Sequence, residues 1–372
     1  MRRRAIVTTL AVLALAAQPV AAASAAPTPA PSPSPTASPS STAVPRKGDG
    51  TLQILTFRGY TEYGSTSPGA RWAADFEADT GCRIARLDQV QTREEMTRRL
   101  AERSYDVISA GPDLVGSLIE GKQVRQLEPS KIDGYGELSK KLRDLTAKGD
   151  KVYGVPYLWG AHELIYDASK VRGDRPEQVF TSPRAAIEDS PLTIADVALA
   201  GGVSGNPYEL TQTQFDAAMK LLESQKDRVY WSDTLDLVKG FATGKLDYAQ
   251  ATPYVRMLLR TVGQPIKTIK TARTTGWVDS WMLGAGVPDV DCAYRWLDWA
   301  ASAETQRDAA AWMGLAPANP KACKGRAKRV CGAYGRPDRV TFAVRPPGDC
   351  RAQDRECTDY AAWTKRWQEL VS

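Results

Sequence analysis

The chain has 372 residues, 42% of them hydrophobic and 25% charged, and a formal net charge of +6, the composition of an ordinary globular protein long enough for two cores. Arg2, Arg3 and Arg4 stand in a first stretch, 1–45, that holds no acid, so the rest of the chain carries only +3, which is no nucleic-acid signature. The basic cluster from Lys324 to Arg329 lacks interleaved aromatics and reads as solvated surface.

Residues 1–26 join those arginines to an apolar run, Ala5 to Ala17, and to small residues from Ala21 to Ala26, the pattern of a secretory signal peptide. The run is shorter than the roughly 20 residues a membrane-spanning helix needs. No cysteine precedes Cys82, so the lipid-anchoring cysteine of an exported lipoprotein is missing, and a secreted chain is expected. Residues 27–50, rich in Pro, Ser, Thr and Ala, form a tether that cannot bury enough apolar surface to fold. Export makes the six cysteines candidates for disulfides. Cys323 with Cys331 and Cys350 with Cys357 close short loops, which leaves Cys82 with Cys292. Zinc is the alternative for the last four, but their spacings match no paired Cys-x-x-Cys site.

The folded part opens with a strand, Leu52 to Phe57, and a loop from Arg58 to Gly64 that holds Tyr60, Thr61, Glu62 and Tyr63. Trp72 and Phe76 share a helix face that stops at Gly81, and Cys82 to Leu87 alternates as a second strand. Thr92 with Glu95 has the capping-box spacing ahead of a helix carrying Met96 and Leu100. Tyr105 to Ser109 is a third strand, with Gly111-Pro112-Asp113 at its carboxyl end. Strand, loop and helix repeated in this way give an α/β class, whose ligands bind beyond strand carboxyl ends. Gly154 to Gly160 reads as a strand linking two lobes. A second α/β unit follows, with strands at Leu164 to Tyr166, Ala185 to Ile187 and Leu246 to Ala251, and a helix capped by Thr211 and Gln214.

Gly276-Trp277-Val278-Asp279-Ser280-Trp281 sets a carboxylate between two indoles where the chain turns from cationic to apolar. A carboxylate entering an interior needs a partner, and a ligand ammonium against an aromatic face would satisfy it. The structural alternative is a turn-capping Asp279 between core tryptophans. Residues 291–313 then give two amphipathic helices, and Tyr360, Trp363, Trp367 and Leu370 make a final one.

From about Thr51 to about Asn319 the chain resembles the spermidine/putrescine-binding proteins of ABC importers. The elements Tyr60-Thr61-Glu62-Tyr63, Asp79-Thr80-Gly81, Tyr105-Asp106-Val107, Val155 to Gly160, Glu188-Asp189, Trp231-Ser232-Asp233 and Trp277 to Ser280 occur in that family's order. The resemblance implies a two-lobed periplasmic-binding-protein fold of type II, its lobes joined by crossing hinge strands with a ligand cleft between them. Lobe 1 is expected over 51–156 and 279–316, and lobe 2 over 157–278 and 320–372 with the cysteine-bearing tail. It also implies ligand contacts from Tyr60, Thr61, Glu62, Tyr63, Asp113, Asp189, Trp277 and Asp279, with Asp279 gripping an ammonium. Several expected positions depart: Asp113 and Thr252 replace aromatics, Leu315 replaces another, and Ser190-Pro191-Leu192-Thr193 lacks further acids.

The function expected is therefore capture of a small cationic, polyamine-like solute by a monomer that serves an importer permease, without cofactor or metal. The alternatives are the same fold with another small amine or an amino-acid-type ligand, and a secreted interaction module with a vestigial cleft. No Gly-x-Ser-x-Gly elbow or phosphate-binding loop points to an enzyme. His162 beside Glu163, with no second histidine, reads as a structural residue.

Overall fold

The computed structural model describes residues 50–343 and 357–372, apart from Thr66, Pro68, Ala272, Pro288 and Asp289. The expected signal peptide, all of the tether except Gly50, and Cys350 lie outside the described residues.

The strands β1 (Thr51–Phe57), β2 (Arg83–Val90) and β3 (Val107–Ala110) pair in parallel with β1 central, joined by helices Trp72–Thr80 and Arg93–Glu102. Local chemistry sets the helix ends. Gly81 closes the first at φ 72°, a left-handed conformation that a side chain would resist. The Thr92 hydroxyl accepts from Glu95 N at 3.2 Å at the start of the second, while Glu95 reaches Gln91 N. Thr211 and Gln214 form the full reciprocal box.

After a small hairpin of β4 (Ala147–Lys148) and β5 (Lys151–Val152), β6 (Gly154–Ala161) joins the first sheet. The chain then builds a second sheet from β7 (Glu163–Asp167), β8 (Ala185–Glu188), β9 (Val229–Trp231), β10 (Tyr248–Ala251) and β11 (Ile266–Thr268), in the order β11-β7-β10-β8-β9. It returns as β12 (Thr274–Leu283), which lies antiparallel between β6 and β3. With β13 (Ala316–Pro317) and β14 (Val340–Phe342), the first sheet runs β13-β6-β12-β3-β1-β2, and β14 pairs with β12. This is the two-lobed α/β architecture.

Each sheet has a core on both faces. Leu52 and Ile54 pack on one side of the first sheet and Leu55 on the other, as the two-residue period of a strand requires. Ile187 and Ala186 divide the second sheet in the same way. Helix Asp291–Ala301 returns to the first lobe, where Trp296 meets Trp281 at 5.3 Å and Phe76 at 5.0 Å between ring centroids. A disulfide from Cys82 to Cys292 ties that helix to the residue preceding β2, and a second joins Cys323 to Cys331. Cys357 is disulfide-bonded as well.

His162 alone separates β6 from β7, and residues 269–273 separate β11 from β12. The expected lobe boundaries at 156/157 and 278/279 therefore fall inside β6 and β12. Every residue of β6 is buried, so hydrophobicity takes no step where the chain changes lobes. The two crossing strands stay paired through the passage, His162 N donating to Thr275 O at 3.0 Å. The tail, expected wholly with lobe 2, is shared. Val330, Tyr334, Val340 and Phe342 enter the first core because β14 extends that sheet, whereas Trp363 and Trp367 of helix Tyr360–Val371 enter the second.

Candidate functional site

The loop after β1, the helix start after β3 and the centre of β12 converge because parallel β1 and β3 end side by side while β12 runs back past them. Ser280 pairs with Ala110, the last residue of β3. A side chain placed on Gly111 would meet Asp113 Oδ1 at 2.7 Å and Asp279 Oδ1 at 3.0 Å, so both carboxylates flank that glycine. Tyr60, 3% exposed, donates its phenolic proton to Asp279 Oδ2. Its own position is fixed from behind: the Trp72 indole donates to Tyr60 O at 3.0 Å, and the Tyr157 ring meets the Tyr60 ring edge-on at 5.5 Å.

Trp277 lies two residues from Asp279 along β12, on the same face of the strand, and its neighbourhood eases the carboxyl slightly toward the charged form. The ring covers Gly160 on β6, where any side chain would collide with it at 2.3 Å. Asp279 is 6% exposed. Burial is the main cause that drives its carboxyl up to about 7; the Tyr60 bond opposes this, and the charges of Asp113 and Glu188 add to it. The site is thus an acid held among aromatics, with the charges of Asp113 and Glu188 close enough to be felt.

The end of the second sheet that meets this group is built around His162. Its Nε2 stands 2.6 Å from Glu188 Oε2, at the carboxyl end of β8, and its Nδ1 stands 2.8 Å from Asp196 Oδ2. Burial alone would push the imidazole toward neutrality, but Asp196 and Glu188 override it and hold its pKa up at about 10. The ring sits 4.9 Å from that of Trp277, so aromatic wall and cation touch.

Of the residues expected from sequence, Tyr60, Asp113, Trp277 and Asp279 are brought together. Thr61 is buried in the same loop and its carbonyl accepts from Gln89 Nε2 at 2.8 Å. Glu62 stands beside Arg58, and partial burial raises its carboxyl. Tyr63 is 40% exposed and turns toward Glu77 at 3.4 Å, away from Asp279. Asp189 is exposed and accepts from the Trp367 indole at 2.8 Å, which fixes the last helix; its neighbour Glu188 faces the site instead. Strand alternation after Ile187 carried that signal.

Sequence reasoning missed Glu188 and Asp196, gave His162 no part in the site, and missed Tyr334. Tyr334 belongs to helix Lys328–Tyr334, which the Cys323–Cys331 bridge ties back, and lies close enough to Tyr60 for the two phenols to feel each other. It donates to Gly314 O at 3.1 Å and packs on Trp159 at 5.3 Å. Thr252, where an aromatic was expected, caps helix Pro253–Thr261. The adjacent Tyr254 lies against Gly314, so aromatic surface reaches that wall from other positions.

The family model for bacterial extracellular solute-binding proteins matches residues 71–327. The putrescine/agmatine-binding protein of Pseudomonas aeruginosa is 25% identical over 135 residues, a match that spans 30% of this chain and only 36% of that protein. Among solved structures, a GABA receptor superposes with a TM-score of 0.68 at 18% identity, covering 87% of this chain and 98% of that one. The spermidine/putrescine ABC transporter substrate-binding protein of Streptococcus pneumoniae superposes with a TM-score of 0.62 at 13% identity, covering 87% and 99%. These structural likenesses show the fold. Among the described residues, no helix is long and apolar enough to cross a membrane.

Proposed function

The chain belongs to the bacterial extracellular solute-binding protein family, and from that premise we propose that it captures a small cationic, polyamine-like solute for an ABC importer. The observation that carries this reading is Asp279: a carboxylate that accepts from the Tyr60 phenol and is raised toward neutrality first by burial and then by the charges of Asp113 and Glu188. A ligand ammonium at that point relieves the repulsion and restores the charged form, so binding energy is concentrated there. Tyr60, Trp277 and Tyr334 supply apolar faces for the carbon chain, and cation–π contact adds about 0.5–2 kcal/mol. The name of the Pseudomonas aeruginosa relative supports the same ligand class.

On this reading the chain is a secreted monomer that hands its ligand to a permease and performs no chemistry on it. Closure of the lobes about the paired strands at His162 and Thr275 encloses the amine, with Glu62 on the same first-lobe loop as Tyr60. Calorimetry with putrescine, spermidine, agmatine and GABA tests the proposal. Micromolar or tighter binding of an amine supports it; binding of none of them rejects it.

A further inference from the structure

With Asp196 and Glu188 present as carboxylates, the hydrogen-bond partners of His162 fix its charge. The Thr275 hydroxyl gives its only proton to Asp196 Oδ1 at 2.5 Å, so toward His162 Nδ1, 3.1 Å away, it can only accept. Asp196 Oδ2 faces the same nitrogen at 2.8 Å and is an acceptor too, which makes Nδ1 a donor. Nε2 faces Glu188 Oε2 at 2.6 Å and must donate as well. An imidazole with both nitrogens donating is an imidazolium.

That cation sits at a telling place. It lies against Trp277, two residues from Asp279 on β12, and it neutralises Glu188, whose side chain stays 24% exposed. Asp196 shares the imidazolium from its buried side and has its other lone pairs satisfied by Thr275 and by Gln250 Nε2 at 2.6 Å. A diamine needs two anionic ends in its site, and here the second end, Glu188, already has its counter-ion on the aromatic wall. We infer that His162 is a built-in substitute for a ligand's second ammonium, so that the site requires one cationic end, at Asp279, and not two. This rests on the reading of Asp279 as an amine site and narrows it to ligands recognised through a single ammonium, with the remainder of the molecule neutral, anionic or solvated. His162 is then a specificity-determining residue that acts through Glu188.

The chain has one histidine, so the ring reports on itself without assignment work. Nitrogen-15 NMR of histidine-labelled, ligand-free protein at pH 7.5 is expected to show both ring nitrogens protonated; a neutral tautomer overturns the inference, whatever ligands bind. Calorimetry then compares putrescine with n-butylamine, which keeps the four-carbon chain and loses one charge. The wild type is expected to favour the diamine by no more than about ten-fold, and His162→Gln to widen that preference by a further ten-fold or more as Glu188 is released. A wild-type preference beyond about a hundred-fold overturns the inference even if His162→Gln fails to fold. An unaltered preference in a folded His162→Gln protein overturns it as well, since a purely structural histidine would shift both affinities together. Binding of no amine by a protein with a charged His162 removes the proposed function, and the ligand half of the inference falls with it.

Discussion

Tyr60 and Asp279 stand 219 residues apart in the chain and share a hydrogen bond in which the phenol donates to the carboxylate. Neither side chain reaches solvent to any extent, and the bond acts on the two in opposite senses: burial first, and then Asp279, pushes the Tyr60 phenol well above its ordinary range, while the phenol's hydrogen bond favours the Asp279 carboxylate against its burial. The pair therefore stays a neutral phenol on a strained acid, and a cation arriving beside it meets a group that gains from being charged.

Asp279→Asn keeps the shape and removes the charge. Truncating one partner of a desolvated charge pair costs on the order of 2–5 kcal/mol, so amine affinity should fall by about thirty-fold or more. The ligand-free protein should hold its melting temperature or gain, because the carboxylate is a burden without a cation. Calorimetry and thermal unfolding together check this, and an unchanged affinity would falsify the assignment.

Ligand-free stability should decline with pH in two steps. Asp279 titrates at about 7 in the folded protein against an ordinary 3.8, so the folded state keeps a proton that the unfolded chain has released. Stability is lost as pH rises from about 4 to 7, and the penalty is complete above that. His162, held at about 10 against 6.5, contributes stability that is full below about 6.5 and disappears as pH climbs through 10. Each step is worth on the order of 4 kcal/mol at its limit. Denaturant titrations at pH 5, 7 and 9 should show the first step vanish in Asp279→Asn and the second persist there; a wild-type profile that rises from pH 5 to 7 relative to Asp279→Asn contradicts the account.

Asp189 provides the control on the other carboxylate. Its bond to Trp367 anchors helix Tyr360–Val371, where Trp363 stacks on Phe215 at 6.0 Å. Asp189→Asn should lower stability by about 1 kcal/mol and leave amine affinity within two-fold, while Trp363→Ala, which empties a fully buried site, should cost about 3–5 kcal/mol. A large affinity loss in Asp189→Asn returns that residue to the site.

The alternation of strands and helices was legible because it is local: Gly81, Thr92 and Thr211 each fix an element end through their own backbone or hydroxyl. Asp279 was legible because a carboxylate inside a run of buried residues needs an explanation. The lobe boundaries were not, since β6 is buried along its whole length and β12 is buried at all but Thr274 and Trp277. Glu188 was hidden by its neighbour: two adjacent acids at a strand end point opposite ways, and only the register of β8 against β9 and β10 decides which one faces inward. His162 was hidden for a different reason. Its charge depends on Asp196 and Thr275, 34 and 113 residues distant in sequence, and no local pattern announces such a meeting.

The Cys82–Cys292 and Cys323–Cys331 bridges should separate stability from binding. Cys82 and Cys292 close a loop with a sequence separation of 210, Cys323 and Cys331 one of 8. If a bridge acts by restricting the unfolded chain, the long one is worth about 5 kcal/mol and the short one about 2–3 kcal/mol. The double replacement of Cys82 and Cys292 by alanine should therefore be the more destabilising, by about 2 kcal/mol or more in denaturant titrations. For the ligand the order reverses. The long bridge joins the residue preceding β2 to helix Asp291–Ala301, beside Arg83, which pairs with the first residue of β1 while the site follows the last, whereas the short one holds the helix that carries Tyr334 against the wall shared with Tyr60. Loosening that helix leaves an aromatic face less well fixed, and a ligand must then order it on binding, at about 0.5–1.5 kcal/mol for one immobilised side chain. Replacing Cys323 and Cys331 by alanine should weaken amine binding by roughly three- to ten-fold in calorimetry, with the long-bridge variant within two-fold of wild type at a temperature where both are folded. If the short-bridge variant binds as tightly as wild type, the tail segment is a brace for the first lobe alone and Tyr334 has no part in holding the ligand.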